Sequence, residues 1–408
     1  MNIKNLLEQL KDPLYKNSLF LMLSRIFDVA CGFVFWIIAA KFYSVEDVGV
    51  ATALISSLGL VILFSRFGFD KSLIRFFNVN DKNRVLNTCL AITTVSSLIV
   101  GITYLIGIDF FASGLSFIQS PVYAVMFLLS VIMNSIVSIT GNALTAMRKV
   151  DNFFFQYVIQ SIRIPLLIPF VFLGSFGIFG SVGLAYLLCT LFTILLLRKN
   201  IRFDFKVDKK FIKESFSFSS GNYISSVLQT VPTMIMPILI LNLLGEAQAA
   251  KYYIAFAIGN LVLIVPESLS TSLFVEGSHG ESLRKSVIKA ALAIYAFLIP
   301  AVVLIYFFGD LLLGLVGKDY AEAFELLRLL SLSSFFVAIY SLFLPVQNIR
   351  MRVESIVKLN LLRFLLLVGL SYIFILRFGI VGIGYAWMIT YAVLGVGIVG
   401  LVRRMGWV

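Results

Sequence analysis

Arginines set inside long apolar runs are the residues of this sequence with the most chemistry to offer. Arg25, Arg163 and Arg363 each lie within such a run, away from its ends. A guanidinium there costs about 2.5–3.5 kcal/mol to insert and needs water, an anion or a carboxylate beside it. Its planar fork donates two parallel hydrogen bonds, which suits phosphate particularly well. Ser18, Arg25, Asp28 and Gly32 follow three- and four-residue steps and share one helical face, so Arg25 and Asp28 can pair. Asn134, Ser138, Asn142 and Thr145 follow the same rhythm, as do Asn152, Gln156, Gln160 and Arg163, and then Asn222, Ser226, Gln229 and Thr233. Asn260, Glu267 and Thr271 form a further stripe, and Asn360 accompanies Arg363. Such stripes either glue helices together, at less than about 1–2 kcal/mol per contact, or line a water-filled passage. Arginines converging on a passage would bind an anionic substrate. Asp28 and Glu267 are then counter-charges to arginine or coupling sites for a proton or cation. Glu267 follows Pro266, and Pro165, Pro169, Pro232 and Pro237 are expected to kink the fifth and seventh runs.

The elements that carry these residues follow from composition. The chain has 408 residues, 60% hydrophobic and only 13% charged. Its mean hydropathy is +0.99, well beyond what a water-exposed surface tolerates. Runs able to cross about 30 Å of hydrocarbon occur near 15–39, 48–65, 85–107, 121–146, 155–173, 178–197, 218–241, 249–273, 287–308, 326–346, 356–376 and 380–402. The expected fold is an all-α integral membrane protein of about twelve transmembrane helices.

A net charge of +12 raises nucleic-acid binding as a question, which the placement of the charges answers. Most lysines and arginines fall in alternate short loops, at 66–84, 148–149, 198–213, 284–289, 350–358 and 403–404. That is the bias of cytoplasmic loops, so both termini are expected inside and no nucleic acid is expected as a partner. Residues 1–16 are polar and lack the apolar core of a cleavable signal, leaving the first run as its own insertion signal. Cys31, Cys89 and Cys189 lie inside apolar runs without the spacing of a metal or redox site. The single His279 sits in a loop with Glu276 and Glu281, a solvated position. No cofactor or metal is expected, and no phosphate-binding Gly-Lys-Ser or Gly-Lys-Thr loop is present to hydrolyse ATP.

A basic stretch divides the chain into an N-terminal bundle over 1–200, a linker over 201–215 and a C-terminal bundle over 216–408. Phe176-Gly177-Ile178-Phe179-Gly180 before the sixth run recurs as Phe378-Gly379-Ile380-Val381-Gly382 before the twelfth, and Arg148 matches Arg350 at the same offset of 202. With six helices in each half the two copies insert the same way up, a parallel repeat.

Three stretches carry a resemblance to a known family. Ala40-Lys41-Phe42-Tyr43-Ser44-Val45-Glu46-Asp47-Val48-Gly49 follows the first run, and Phe67-Gly68 with Leu73-Ile74-Arg75 follows the second. Leu243-Leu244-Gly245 with Ala250-Lys251-Tyr252-Tyr253 joins the seventh to the eighth. In these turns and in the order of its runs, the chain resembles the polysaccharide-export flippases of the multidrug/oligosaccharidyl-lipid/polysaccharide exporter superfamily over nearly its whole length. The resemblance implies a lipid-linked oligosaccharide on polyprenyl phosphate or pyrophosphate, turned from the cytoplasmic to the external leaflet for cell-surface polysaccharide biosynthesis. It implies alternating access between two six-helix bundles around a central cavity. Arg25, Arg163 and Arg363 would hold phosphate or acidic sugars, and Arg66 and Arg75 would attract the head group at the cytoplasmic mouth. Gln160, Asn142, Asn222 and Gln229 would complete the wet surface, with Asp28 and Glu267 as counter-charge or as the site of a coupling Na+ or H+.

The expected setting is the cell membrane, with lipids around a monomer that can associate with glycan polymerase machinery. A cation-coupled multidrug exporter of the same superfamily is the alternative, favoured if acids outnumbered arginines in the lumen. A membrane polysaccharide polymerase or ligase would need a large external loop. The longest external segments, around 109–120 and 309–325, are too short for that.

Overall fold

The computed structural model describes residues 13–204, 206–278, 283–350 and 353–404, with backbone alone at 13–19, 216–219, 221–222, 264–265, 267–268, 271–272, 274–278, 283–284, 353 and 404. Among the described residues every regular element is helical, as a chain in hydrocarbon requires when its backbone must bond within each segment. In chain order these are α1 (Pro13–Phe42), α2 (Val45–Arg66), α3 (Phe69–Phe76), α4 (Lys82–Ile106), α5 (Ile108–Phe111), α6 (Pro121–Ala146), α7 (Val150–Gln160), α8 (Arg163–Leu166) and α9 (Ser175–Leu197). There follow α10 (Lys209–Leu244), α11 (Glu246–Ser278), α12 (Leu283–Val316), α13 (Phe324–Ile349), α14 (Val353–Phe378) and α15 (Val381–Arg404). Two compact units, Met1–Ile224 and Ser225–Val408, meet within α10. Ten helices are long and apolar enough to cross a membrane among the described residues, so the chain is an all-α, multi-pass membrane protein.

The expected fifth and eighth spans fall outside those ten. The eighth apolar run is a continuous helix, α11, whose described side chains are incomplete around Pro266. The fifth requires a correction, because the helix expected over 155–173 is broken twice. α7 stops at Gln160, the four-residue α8 follows, and a further turn leads through the 3-10 turn Val171–Leu173 to α9. Pro165 and Pro169, four residues apart, each remove an N–H and collide with the carbonyl one turn back, so consecutive turns fail. Pro232, Pro237, Pro266, Pro300 and Pro345 all stay inside continuous helices.

The break frees carbonyls that lipid cannot satisfy, and the turn between α1 and α2 supplies a donor. Tyr43 donates its phenol to the Leu167 carbonyl at 2.7 Å. Burial, reinforced by the Asp47 carboxylate, pushes that phenol up to about 12, so it stays a donor. Ser44 caps α2, accepting the Asp47 N–H at 3.0 Å and donating to Asp47 Oδ2 at 2.8 Å. The other oxygen of Asp47 accepts the Ser175 N–H at 2.7 Å, capping α9 as well. The Tyr43-to-Asp47 turn therefore fastens the ends of four helical segments.

In the first unit α6 is central and packs on α2, α3, α4, α7 and α9. In the second, α13 holds the same position among α11, α12, α14 and α15. Hydroxyls bond across the first unit: Ser97 donates to Ser65 Oγ at 3.0 Å and lies 2.7 Å from Ser135 Oγ, and Thr190 donates to the Met133 carbonyl at 3.1 Å. In α13 three hydroxyls close on their own helix, Ser331 to Arg328 O, Ser333 to Leu330 O and Ser334 to Ser331 O. Its middle is bonded from neighbouring helices, by Tyr295 to the Phe335 carbonyl at 3.0 Å and Ser270 to the Ser341 carbonyl at 2.6 Å.

Beneath α3, Phe69, Leu73 and Phe77 join Leu86, Ile139, Leu144 and Phe211 in a buried cluster that fixes one end of the first unit. There α6 ends in a Schellman turn, with Lys149 N–H on Leu144 O at 2.9 Å and Arg148 N–H on Thr145 O at 3.0 Å. Arg148 takes the left-handed position of that turn at φ 59°. Glycine would adopt it freely, whereas a side chain raises its cost by about 1–2 kcal/mol.

Each unit approaches its last helix through a left-handed glycine and a second, packed one. Gly174 has φ 56° and Gly379 φ 57°, and the Gly177 and Gly382 N–H groups bond to their carbonyls at 2.8 and 3.1 Å. These pairs stand 205 residues apart, three more than the pentapeptide offset. A methyl group at Gly177 would lie 2.1 Å from the Phe170 carbonyl oxygen and 2.9 Å from the Tyr43 hydroxyl, while nothing lies within 4 Å of one at Gly397. Thermal unfolding in detergent is expected to show Gly177→Ala destabilised by about 1–3 kcal/mol and Gly397→Ala unchanged or slightly stabilised.

Candidate functional site

α7 lies along α1 through the rings of Phe20 and Phe27 on either side of Phe154, at 6.3 and 5.4 Å. Past the break, α8 turns Arg163 onto the polar face of α1. Arg163 Nη2 stands 3.7 Å from Asp28 Oδ1, and Arg25 Nη1 stands 4.0 Å from Asp28 Oδ2. These are ion-pair separations too long for direct hydrogen bonds. Gly32 lies beside the guanidinium, and a methyl group there would make an ordinary contact with Arg163 Nη2 at 3.8 Å. The Phe35 ring supports its carbon at 5.4 Å. Arg25 is 72% exposed, Asp28 30% and Arg163 16%, so the acid is shared between one outer and one inner cation.

Arg66, at the end of α2, belongs to the same electrostatic neighbourhood. Tyr157 of α7 and Tyr186 of α9 lie within charge range of both Asp28 and Arg66. The Nε atoms of Arg66 and Arg163 are buried without a hydrogen-bond partner among the described residues. Asp70 is the acid within charge range of Arg66, so three guanidinium groups share two carboxylates, a balance that still leaves room for an anion. Among the described residues no three His, Cys, Asp or Glu side chains gather to hold a metal.

The remaining expected ligands of this unit take other partners. The stripe from Asn152 to Arg163 is divided by the break. Gln156 is buried against Thr193 Oγ1 at 3.0 Å, and Gln160 meets Cys189 Sγ at 3.9 Å. Asn142 is half-buried on α6. Arg75 is exposed on α3, over the Phe76 ring at 5.8 Å.

Arg363 belongs to the second unit and is built into a network of its own. It is 6% exposed. Its Nε donates to the Tyr391 hydroxyl at 2.8 Å and its Nη1 to the Gln229 carbonyl at 3.3 Å. The guanidinium carbon lies 5.7 Å from the rings of both Tyr340 and Tyr391. Tyr340 donates to Asn360 Oδ1, and Asn360 Nδ2 donates to Ser225 Oγ at 3.1 Å. Gln229 enters through its main chain, where its side chain was expected. The side chains of Asn222 and Glu267, and all of His279 and Glu281, lie outside the described residues. Tyr340 and Tyr391 were missed by the sequence reading; a phenol deep in an apolar run needs a partner, and an arginine in a neighbouring run is a natural one.

Breaking the Asp28 pair leaves Arg163 with a half-buried, uncompensated charge. Asp28→Ala is expected to cost about 1–3 kcal/mol, less than a fully buried pair because solvent reaches the acid. The double variant Asp28→Asn/Arg163→Gln should recover part of that loss in the same unfolding measurement. Tyr391→Phe removes an acceptor from buried Arg363 and is expected to cost about 1–3 kcal/mol.

Comparisons with known proteins follow this geometry. None of the curated proteins matches the chain. A solved structure titled lipid II flippase MurJ, inward closed conformation, is similar with a TM-score of 0.77 at 16% identity, over 95% of this chain and 87% of that one. An inward-facing multidrug resistance MATE family transporter of the MOP superfamily gives 0.72 at 15% identity, over 93% and 95%. An outward-facing transporter of that family gives 0.63 at 17% identity, over 97% and 96%. At these identities the likeness establishes the fold, which is that of the MATE and MurJ transporters. The model of a family described as "Polysaccharide biosynthesis protein" matches residues 14–274, well over half of the sequence. The chain therefore belongs to the polysaccharide biosynthesis protein family.

Proposed function

We propose that this protein is a flippase that carries a lipid-linked oligosaccharide, on polyprenyl phosphate or pyrophosphate, from the cytoplasmic to the external leaflet by alternating access. The observation that carries this reading is the group on α1, α2 and α8. There Arg25, Arg66 and Arg163 outnumber Asp28 and Asp70, and two buried Nε donors have no partner among the described residues. A phosphate can occupy such donors with paired, charge-assisted hydrogen bonds. Family membership supports a role in building polysaccharide, and the transporter fold supports movement of substrate instead of its chemical conversion.

The setting proposed is the cell membrane with both termini inside, as the charge bias favours. Asp28 is the counter-ion that keeps Arg25 and Arg163 in place when no substrate is bound. A drug exporter driven by cations would be served by an excess of acids, and here the excess is basic.

The test is export by cells that lack the gene and carry variant copies, read with a probe that reports which leaflet holds the lipid-linked glycan. Arg25→Ala and Arg163→Ala are expected to lower export by about tenfold or more, the factor equivalent to losing one charge-assisted hydrogen bond. Membrane levels of both variants should match the parent. Export at the parent rate by both would overturn the anion-binding role.

A further inference from the structure

A second cationic site lies at the end of the first unit that the charge bias marks as cytoplasmic. A cavity of about 370 Å3 opens between the loop after α3 and the end of α6, lined by Asn78, Lys82, Ala146, Met147 and Arg148. It shares no residue with the Asp28 group and goes beyond the transport reading.

Two of its five lining residues are cations in adverse positions. Arg148 holds a left-handed backbone at φ 59° where glycine would serve the turn better. Lys82 opens α4, where the helix dipole opposes a positive charge. Neither side chain hydrogen-bonds or pairs with an acid among the described residues. The adjacent acid, Asp81, is occupied by the Asn83 and Arg84 N–H groups at 2.8 and 3.4 Å. Asn78 ties the two walls together, donating to the Ala146 carbonyl at 3.1 Å. The floor is the buried cluster of Phe69, Phe77, Leu144 and their neighbours, which keeps the walls in register.

The dipole of α6 accounts for a cation near its C-terminus but not for one held at a left-handed position, since Lys149 next to it already meets that need. The geometry points to a binding site for an anionic phosphate group, either on a lipid head group of the cytoplasmic leaflet or free in solution. Bound between Lys82 and Arg148, the phosphate neutralises both cations, and the guanidinium fork of Arg148 can grip two of its oxygens.

The experiment uses the full-length protein in detergent, with dioleoyl phosphatidylglycerol, dioleoyl phosphatidylcholine and inorganic phosphate as probes and native mass spectrometry or equilibrium binding as readout. The variants are Lys82→Gln, Arg148→Gly and their combination. Arg148→Gly removes the charge while relieving the backbone, so its unfolding temperature should equal or exceed that of the parent. The double variant is expected to bind the anionic probe about tenfold more weakly, with phosphatidylcholine unaffected. A difference seen with phosphatidylglycerol alone identifies the lipid source, and one seen with inorganic phosphate as well identifies a soluble anion; both uphold the site. Equal affinity of parent and double variant for both anions overturns it.

Discussion

Hydrocarbon offers no partner to a peptide carbonyl, and the broken fifth span brings that constraint into the middle of the first unit. Pro165 and Pro169 withdraw two N–H donors a turn apart between Gln160 and Ser175, where the helix breaks. The segment persists because Tyr43 reaches the freed Leu167 carbonyl and Asp47 reaches the first N–H of α9. Once the segment is held there, α8 is too short to bury Arg163 within its own helix and delivers it to Asp28 on α1. The ion pair and the bare Nε of Arg163 both follow from that break.

The two units treat an arginine in their fifth helical segment in opposite ways. In the second unit α14 is unbroken, and Arg363 is closed in by a tyrosine hydroxyl, a main-chain carbonyl and two aromatic faces. Two of its donors are bonded to the framework. In the first unit Arg163 has only a stretched ion pair and one ring beside it. Its Nε is buried without a hydrogen-bond partner among the described residues, which sets it apart from Arg363.

Much of this was legible in the sequence. The apolar runs followed from length and hydropathy, and the three- and four-residue steps that put Arg25, Asp28 and Gly32 on one face describe α1 as it stands. Proline at 165 and 169 announced a kink in the fifth run, but a kink and a double break differ in whether the surroundings can satisfy the lost bonds. That answer resides in Tyr43 and Asp47, more than a hundred residues away. The stripe ending at Arg163 misled because it assumed one helical phase through a segment whose helix stops at Gln160. Arg363 looked equivalent to Arg163 because a sequence does not display the Tyr391 hydroxyl beside it. The Tyr43-to-Asp47 turn stood out as a pattern of residue types, and only the coordinates give the reason: its hydroxyls and carboxylate terminate several spans at once.

The hydroxyls of Ser331, Ser333 and Ser334 turn back upon the backbone of α13. Directly beyond them the Phe335 and Ser341 carbonyls take directional bonds from Tyr295 of α12 and Ser270 of α11. One helix is thus pinned near its waist from two sides, so a displacement of either neighbour reaches the other through α13.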